Sequence, residues 1–244
     1  MKMQAGPCLV LNCAEGDLQV IMGIPGRVDY FQSFNVPGRA MKYMAEAIDR
    51  GLKFLDLAPM NIAGIACVTG PGSFTGIRMS LAHALGLSCA RCTPLAGISY
   101  LRALALGPGA LLKGTLWVLV HSRKNQVYAQ GFSVPDLSSL CPALDISAVD
   151  IESLISRHPE PGYLLGSGVR RNREHFNKEN LSVLPLIWDT AMPLNLLKLA
   201  FEAEWSEKLP APAYLRASEA EENLERIAGQ RGLDPALARK ILDE

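Results

Sequence analysis

Acidic residues are missing from about a third of the chain. No Asp or Glu occurs between Leu57 and Pro135, although the chain has 24 acidic residues in total. A dinucleotide site of the Rossmann type needs an acidic residue about 20 positions after its glycine motif to bind the ribose. A metal held by carboxylates needs acids as well. The gap therefore argues against both kinds of site in this part of the chain.

Histidine and cysteine are too scattered for the usual metal sites. The four histidines stand far apart, so no His-x-x-x-His pair places two imidazoles on one helix face. Cys89-x-x-Cys92 has no second pair to complete a zinc site. Cys89 also falls at the end of a predicted helix, whereas a reactive thiolate favours the beginning. We therefore predict structural thiols, no metal site and no catalytic residue.

Signals for secretion, membrane insertion and direct nucleic-acid binding are also missing. The longest uncharged run, Leu57–Ile77, contains two prolines and four glycines, which suits a strand and loop better than a membrane helix. No signal peptide opens the chain, so its six cysteines indicate reduced thiols and a cytoplasmic location. Because 24 basic residues balance 24 acidic ones, net charge gives no case for a standalone nucleic-acid binder.

Apolar runs and turn residues predict an α/β protein with two lobes. In each half, strands joined by short turns precede alternating helices and strands, which suggests a duplicated unit. We predict an N-terminal lobe over residues 1–108, a C-terminal lobe over 109–216 and a helical tail over 217–244. Gly107-Pro-Gly109 is the best linker between the lobes. Further element predictions are a helix over Gly38–Phe54, a strand over Leu181–Ile187 and a helix over Pro193–Glu207.

The most informative segment is a glycine-rich loop between a buried strand, Ile62–Val68, and a helix that begins near Gly76. Ser73 and Thr75 are positioned to cap this helix, whose N-terminal end suits an anion or a partner carbonyl. Arg78 opposes the helix dipole, so we expect it to reach outward to a carboxylate, a phosphate or a partner chain. The candidate binding loop comprises Gly70, Pro71, Gly72, Ser73, Phe74, Thr75, Gly76 and Arg78.

This loop does not match the common phosphate-binding motifs. A Walker loop has Lys followed by Ser or Thr after its last glycine, whereas Ile77 and Arg78 follow Gly76 here. A plain strand-to-helix turn stays open as an interpretation. Ser99, Ser122 and Ser167 lack a nucleophile-elbow pattern, so the sequence gives no support for a serine hydrolase.

The string Gly70-Pro-Gly-Ser-Phe-Thr-Gly-Ile-Arg78 resembles the signature of the TsaB (YeaZ) family. Weaker resemblances follow in the order expected for that family, at Thr93–Ala105, His121–Tyr128, Leu165–Gly168 and Pro212–Arg216. The resemblance implies a duplicated actin-like, ribonuclease H-like fold with a mixed sheet in each lobe. It also implies a non-catalytic scaffold that binds and stabilises a TsaD-like transferase in tRNA threonylcarbamoyladenosine synthesis.

The resemblance further implies which partners carry the chemistry. ATP and metal are expected on partner subunits, a TsaD-like paralogue and a TsaE-like ATPase, and tRNA is expected to be contacted through the complex. A homodimer is the other expected assembly. The resemblance implies that the first two long helices pair with the paralogue, and apolar or small residues at helical spacing then predict an interface at Met41, Met44, Ile48, Ser80 and Ala84. The alternative from the pattern alone is that both helices simply cover one sheet.

One departure from the family concerns the first turn. The family's first strand usually runs into an Asp-Thr-Ser turn, where actin-like folds hold phosphates, but here the turn reads Asn12-Cys13-Ala14. Nucleotide binding at this turn is therefore doubtful. Glu15 and Asp17 remain nearby acids, although a hairpin turn ordinarily carries solvated charges. A small actin-like ATPase or sugar kinase is the alternative function, and a peptidase is a weaker one.

Overall fold

The computed structural model describes residues 6–158, 161–176, 181–216 and Ala228. Residues up to Ala213 form one compact unit, which contains both predicted lobes, and residues from Tyr214 onward form another. The helices predicted in the tail over 217–244 lie outside the described residues, apart from Ala228. The lobe boundaries stay a prediction.

The first half of this unit forms a five-stranded mixed sheet. Its strands and helices in chain order are β1 (Cys8–Asn12), β2 (Asp17–Ile24), β3 (Arg27–Asn35), α1 (Ala40–Phe54), β4 (Gly64–Gly70), α2 (Phe74–Cys89), β5 (Leu95–Ser99) and α3 (Tyr100–Gly109). The order across the sheet is β3-β2-β1-β4-β5. Short turns join the antiparallel strands β1, β2 and β3, whereas helical crossovers lead to the parallel strands β4 and β5.

The second half repeats this plan with shorter helices. Its elements in chain order are β6 (Gly114–Arg123), β7 (Gln126–Val134), β8 (Leu144–Ser147), α4 (Ile151–Ile155), β9 (Gly162–Leu165), α5 (Ser167–Arg171), β10 (Leu181–Val183) and α6 (Pro193–Glu202). The order β8-β7-β6-β9-β10 has the same parallel and antiparallel pairings as the first sheet. The predicted duplication is thus confirmed, and the chain has a duplicated actin-like fold.

Hydrophobic residues are buried on both sheets. One cluster lies between the first sheet and helices α1 and α2, and it includes Leu11, Met44, Ile65 and Ile77. Another surrounds Trp117 in the second sheet. Helix α6 follows the second sheet in sequence but packs against strands of the first. No helix among the described residues is long and apolar enough to span a bilayer.

Several predicted boundaries are wrong for identifiable reasons. Helix α1 begins at Ala40 rather than Gly38, because Gly38 has a left-handed φ of 69°. The predicted linker Gly107-Pro-Gly109 is the last turn of α3. There Gly107 packs against Trp188 and Gly109 against Leu137, so these glycines provide close packing and not a hinge.

Two predicted elements in the second half are too long. The strand predicted over Leu181–Ile187 ends at Val183, since residues from Leu186 form a short 3-10 helix after Pro185. Helix α6 ends at Glu202, five residues before the predicted end. The chain then turns back to the first sheet, where Leu95 and Ser206 exchange backbone hydrogen bonds of 2.7 and 2.9 Å.

The structure corrects the predicted partner interface. Four of the five predicted residues are buried inside the chain itself: Met44, Ile48, Ser80 and Ala84. They are buried because they lie on the sides of α1 and α2 that face the first sheet. Met41, the fifth predicted residue, is 73% exposed. Only this residue of the five can contact a partner without disrupting the core.

We predict that Met44→Ala lowers the free energy of unfolding by about 2–5 kcal/mol, because it leaves a cavity under α1. Met41→Ala on the same helix is the matched control and should change stability by less than about 0.5 kcal/mol. Urea denaturation of the two variants measures the difference. Equal effects of the two substitutions would contradict the burial described here.

Candidate functional site

The turn after β1 is closed by its own side chains. Buried Asn12 accepts a hydrogen bond from the Ala14 N–H at Oδ1 (3.0 Å) and donates from Nδ2 to Gln19 Oε1 (2.7 Å). Gln19 in turn donates to the Ala191 carbonyl at 3.0 Å. A backbone N–H that a phosphate-binding turn would offer is therefore already bonded within the chain.

The signature loop, residues 70–78, packs directly against this turn. The Ser73 N–H donates to the Ala14 carbonyl at 2.7 Å. A Cβ atom added at Gly72 would overlap with the Ala14 oxygen, and one added at Gly76 would overlap with the Cys13 oxygen. Both glycines are therefore required for close backbone approach, which is a structural reason for the motif.

The beginning of α2 is capped by one of the two predicted residues. Ser73 is the N-cap, and its Oγ accepts a hydrogen bond from the Gly76 N–H at 3.2 Å. Thr75 lies within the first helical turn, because the helix begins at Phe74 and not near Gly76. Since Ser73 and Gly76 both donate within the chain, at least two of the four N–H groups that open the helix are unavailable to an anion.

The remaining loop residues surround this capped turn. Gly70 has a φ of 115°, a backbone conformation that favours glycine, and Pro71 is buried. Phe74 is half-buried, and the exposed Arg78 guanidinium lies 5.5 Å from the centre of its ring. This distance is suitable for a cation–π contact, which is weak at an exposed site.

A pocket of about 170 Å³ opens beside the signature loop, between the beginnings of α1 and α2. Its apolar wall includes Val36, Met41 and Met79, and its polar wall includes Glu15 and the hydroxyl residues Ser73 and Thr75. It is therefore the part of the site that can accept an external group, and its one ionisable carboxyl is that of Glu15.

Glu15 joins the two halves of the fold. Its carboxylate accepts hydrogen bonds from the Tyr100 hydroxyl at the start of α3 (2.9 Å) and from Ser167 Oγ at the start of α5 (2.5 Å). Ser167 Oγ itself accepts a hydrogen bond from the His121 N–H at 2.9 Å. The carboxyl thus connects the first turn to the second lobe, so the expectation of solvated charge at this turn is wrong for Glu15.

The electrostatic surroundings of Glu15 are unfavourable to its charge. Burial raises the pKa of the Glu15 carboxyl above its ordinary value of 4.5, and the nearby carboxylates of Asp189 and Asp17 raise it further. The bonds from Ser167 and Tyr100 act in the opposite direction. Within the described part of the chain, the ion pairs involve other acids, among them Asp189 with Arg170, and none includes Glu15.

Reasoning from sequence missed Tyr100 and Ser167. They stand 85 and 152 residues from Glu15, so no local motif could reveal that they bind its carboxylate. The described residues contain no cluster of three or more His, Cys, Asp or Glu side chains that could hold a metal ion.

Comparisons with known proteins identify sequence relatives of this chain. The sequence model of the family described as TsaD, tRNA N6-adenosine threonylcarbamoyltransferase, matches residues 39–152. The tRNA threonylcarbamoyladenosine biosynthesis protein TsaB of Bacillus subtilis (strain 168) is 26% identical over 182 residues, which cover 72% of this chain and 79% of that protein. The predicted resemblance to the TsaB (YeaZ) family is confirmed as a sequence similarity.

Solved structures agree on the fold. YeaZ from Pseudomonas aeruginosa superposes with a TM-score of 0.72 at 19% identity, covering 86% of this chain and 100% of that one. The ethanolamine utilization protein EutJ from Carboxydothermus hydrogenoformans is more distant, with a TM-score of 0.50 at 10% identity over 82% of this chain and 92% of that one. At these identities, the two structures bear on the fold alone.

We predict that Gly76→Ala destabilises the protein by roughly 1–3 kcal/mol or more, because its methyl group would displace the Cys13 carbonyl. Gly86→Ala in the same helix is the control. No atom lies within 4 Å of a Cβ there, so this change should stabilise the helix by about 0.5–1 kcal/mol. Thermal unfolding of both variants tests the packing role, which similar effects at the two positions would refute.

A second prediction concerns the pH dependence of stability. A carboxyl group whose pKa is raised by folding binds its proton more tightly in the folded state than in the unfolded state. Its contribution to the free energy of unfolding is therefore largest below pH 4.5 and is lost as the pH rises through the folded pKa. Wild type should therefore lose stability relative to Glu15→Gln as the pH rises above about 4.5. Urea denaturation at a series of pH values from 4.5 upward, with exposed Glu202→Gln as control, measures the difference. A difference that stays constant with pH would contradict the proposed burial of charge.

Proposed function

We propose that the chain is a non-catalytic subunit of the tRNA threonylcarbamoyladenosine machinery, in which it binds and stabilises a TsaD-like transferase. The named role of the Bacillus subtilis relative supports the pathway. The match to the TsaD family over residues 39–152 supports a paralogous partner of related fold. We place the protein in the cytoplasm because its six cysteines are all unpaired thiols.

The partner is proposed to bind at the exposed face of α2. Ala82, Leu85 and Gly86 lie on its solvent side, and Leu85 is 42% exposed. Exposed Met41 on α1 lines the same pocket as Met79, which lies one turn before Ala82. We call these four exposed residues, Met41, Ala82, Leu85 and Gly86, the α1–α2 face.

The α1–α2 face has the chemistry of a helix-packing surface. Small residues allow close approach of a partner helix, and Leu85 and Met41 supply apolar area to bury. Small residues recur every fourth position along two sides of α2. The side with Ala82 and Gly86 is exposed, whereas the side with Ser80 and Ala84 is buried. The same face can pair with a second copy of the chain, in competition with the paralogue.

The site supports a scaffold better than an ATPase or sugar kinase. The N–H groups of Ala14, Ser73 and Gly76 are already bonded within the first turn and the signature loop or between them. The adjacent pocket is also lined by Glu15, whose carboxylate repels phosphate. We therefore assign ATP turnover to a TsaE-like partner and metal to the TsaD-like subunit, with tRNA bound through the assembled complex.

We predict that the double substitution Met41→Glu and Leu85→Glu weakens binding to the TsaD-like paralogue by about tenfold or more, because it places unpaired charge in an apolar contact. Leu111→Glu is the control, since Leu111 is 77% exposed and lies outside this face. Calorimetric titration gives the affinities and thermal unfolding checks the fold.

Three results would contradict the proposal. The first is unchanged affinity of the double variant with a normal melting temperature. The second is a reconstituted system that modifies tRNA equally well without this chain. The third is ATP hydrolysis by the purified chain alone that disappears when Glu15 is substituted, which would instead favour the enzyme alternative.

A further inference from the structure

The pocket between α1 and α2 has the dimensions of one long side chain. Its volume of about 170 Å³ is similar to that of an engineered cavity of about 150 Å³ that holds benzene, a ligand of six heavy atoms. A lysine side chain has about the same number of heavy atoms beyond its Cα. The opening lies beside Met41, so a group on a partner docked at the α1–α2 face can enter it.

The lining divides into an apolar part and an acceptor part. Val36, Met41 and Met79 provide walls for an aliphatic stem. The lining also includes Glu15, which carries a carboxylate, and the hydroxyl residues Ser73 and Thr75. A basic side chain matches both parts of this lining, because it has a methylene stem that can be buried and a positive charge at its end.

The charge balance of the pocket is incomplete. Glu15 is partly buried and accepts two hydrogen bonds from neutral hydroxyls, but the described residues give it no cationic partner. The nearby carboxylates of Asp17 and Asp189 add further negative charge, although Asp189 is itself paired with Arg170. A carboxylate held away from water without a counter-charge is costly, and a cation in the pocket would remove that cost.

From this geometry we propose that the TsaD-like partner inserts one basic side chain, lysine or arginine, into the pocket and pairs it with Glu15. The inference rests on the proposed docking at the α1–α2 face and identifies its charged contact. A carboxylate residue in the lining of a partly apolar pocket selects a partner by charge as well as by shape.

The first experiment measures partner affinity. Glu15→Gln keeps the size of the side chain and removes its charge, so it should weaken binding by about tenfold or more. Tyr100→Phe keeps the charge and removes one hydrogen bond, so its loss should be clearly smaller. Glu202→Gln, which changes the same charge on α6, should bind as wild type does. Equal affinity for Glu15→Gln and wild type would overturn the inference, as would equal losses for Glu15→Gln and Tyr100→Phe.

The second experiment needs no partner and separates this inference from the proposed function. n-Butylammonium chloride imitates a lysine side chain and should produce saturable shifts in the amide NMR signals of Gly38, Ser73 and Gly76, with a dissociation constant on the order of millimolar. Neutral n-butanol should shift them much less, and Glu15→Gln should abolish the ammonium effect. Failure of the paralogue to bind wild type would refute the docking proposal, whereas absence of ammonium binding would refute the pocket.

Discussion

The close contact between the signature loop and the first turn organises the site. At Gly72 and Gly76 the α2 segment meets the carbonyl groups of Ala14 and Cys13 with no room for a side chain. This contact holds the beginning of α2 beside the end of β1. The pocket, the position of Glu15 and the exposed face of α2 all depend on it, because each is formed by elements that meet at this point.

The same contact also uses hydrogen-bonding groups at the end of β1 that would otherwise be available to a ligand. Hydrogen bonds that a phosphate-binding turn would offer to a ligand are used here inside the chain, by Asn12 and Ser73. The second lobe is then joined to this turn by a carboxylate that accepts from Ser167. Side chains from the two halves of the chain are thus hydrogen-bonded to each other at this turn.

Local patterns in the sequence predicted the fold well. Alternating apolar residues, short turns and the Ser73 cap are local features, so most strands of the two sheets and most of α1 and α2 could be identified from them. The short strand β8 was missed. The ends of helices and strands were harder to predict. Gly38 and Pro185 determine them through the backbone conformation, which the spacing of apolar residues does not reveal.

The site was less predictable, since burial is a tertiary property. A stripe such as Met44 and Ile48 fits both a core and an interface, and only the position of the first sheet decides between them. Glu15 looked like an ordinary turn residue until Tyr100 and Ser167 were brought to it from distant parts of the chain.

The backbone pairing of Leu95 with Ser206 has a consequence for solubility. Strand β5 is an edge of the first sheet, and an uncovered edge strand offers unpaired N–H and C=O groups to strands of other molecules. Ser206 occupies both hydrogen-bonding groups of Leu95, so the segment after α6 blocks strand addition at this point. The chain thereby protects one sheet edge from aggregation with a single residue from its other half.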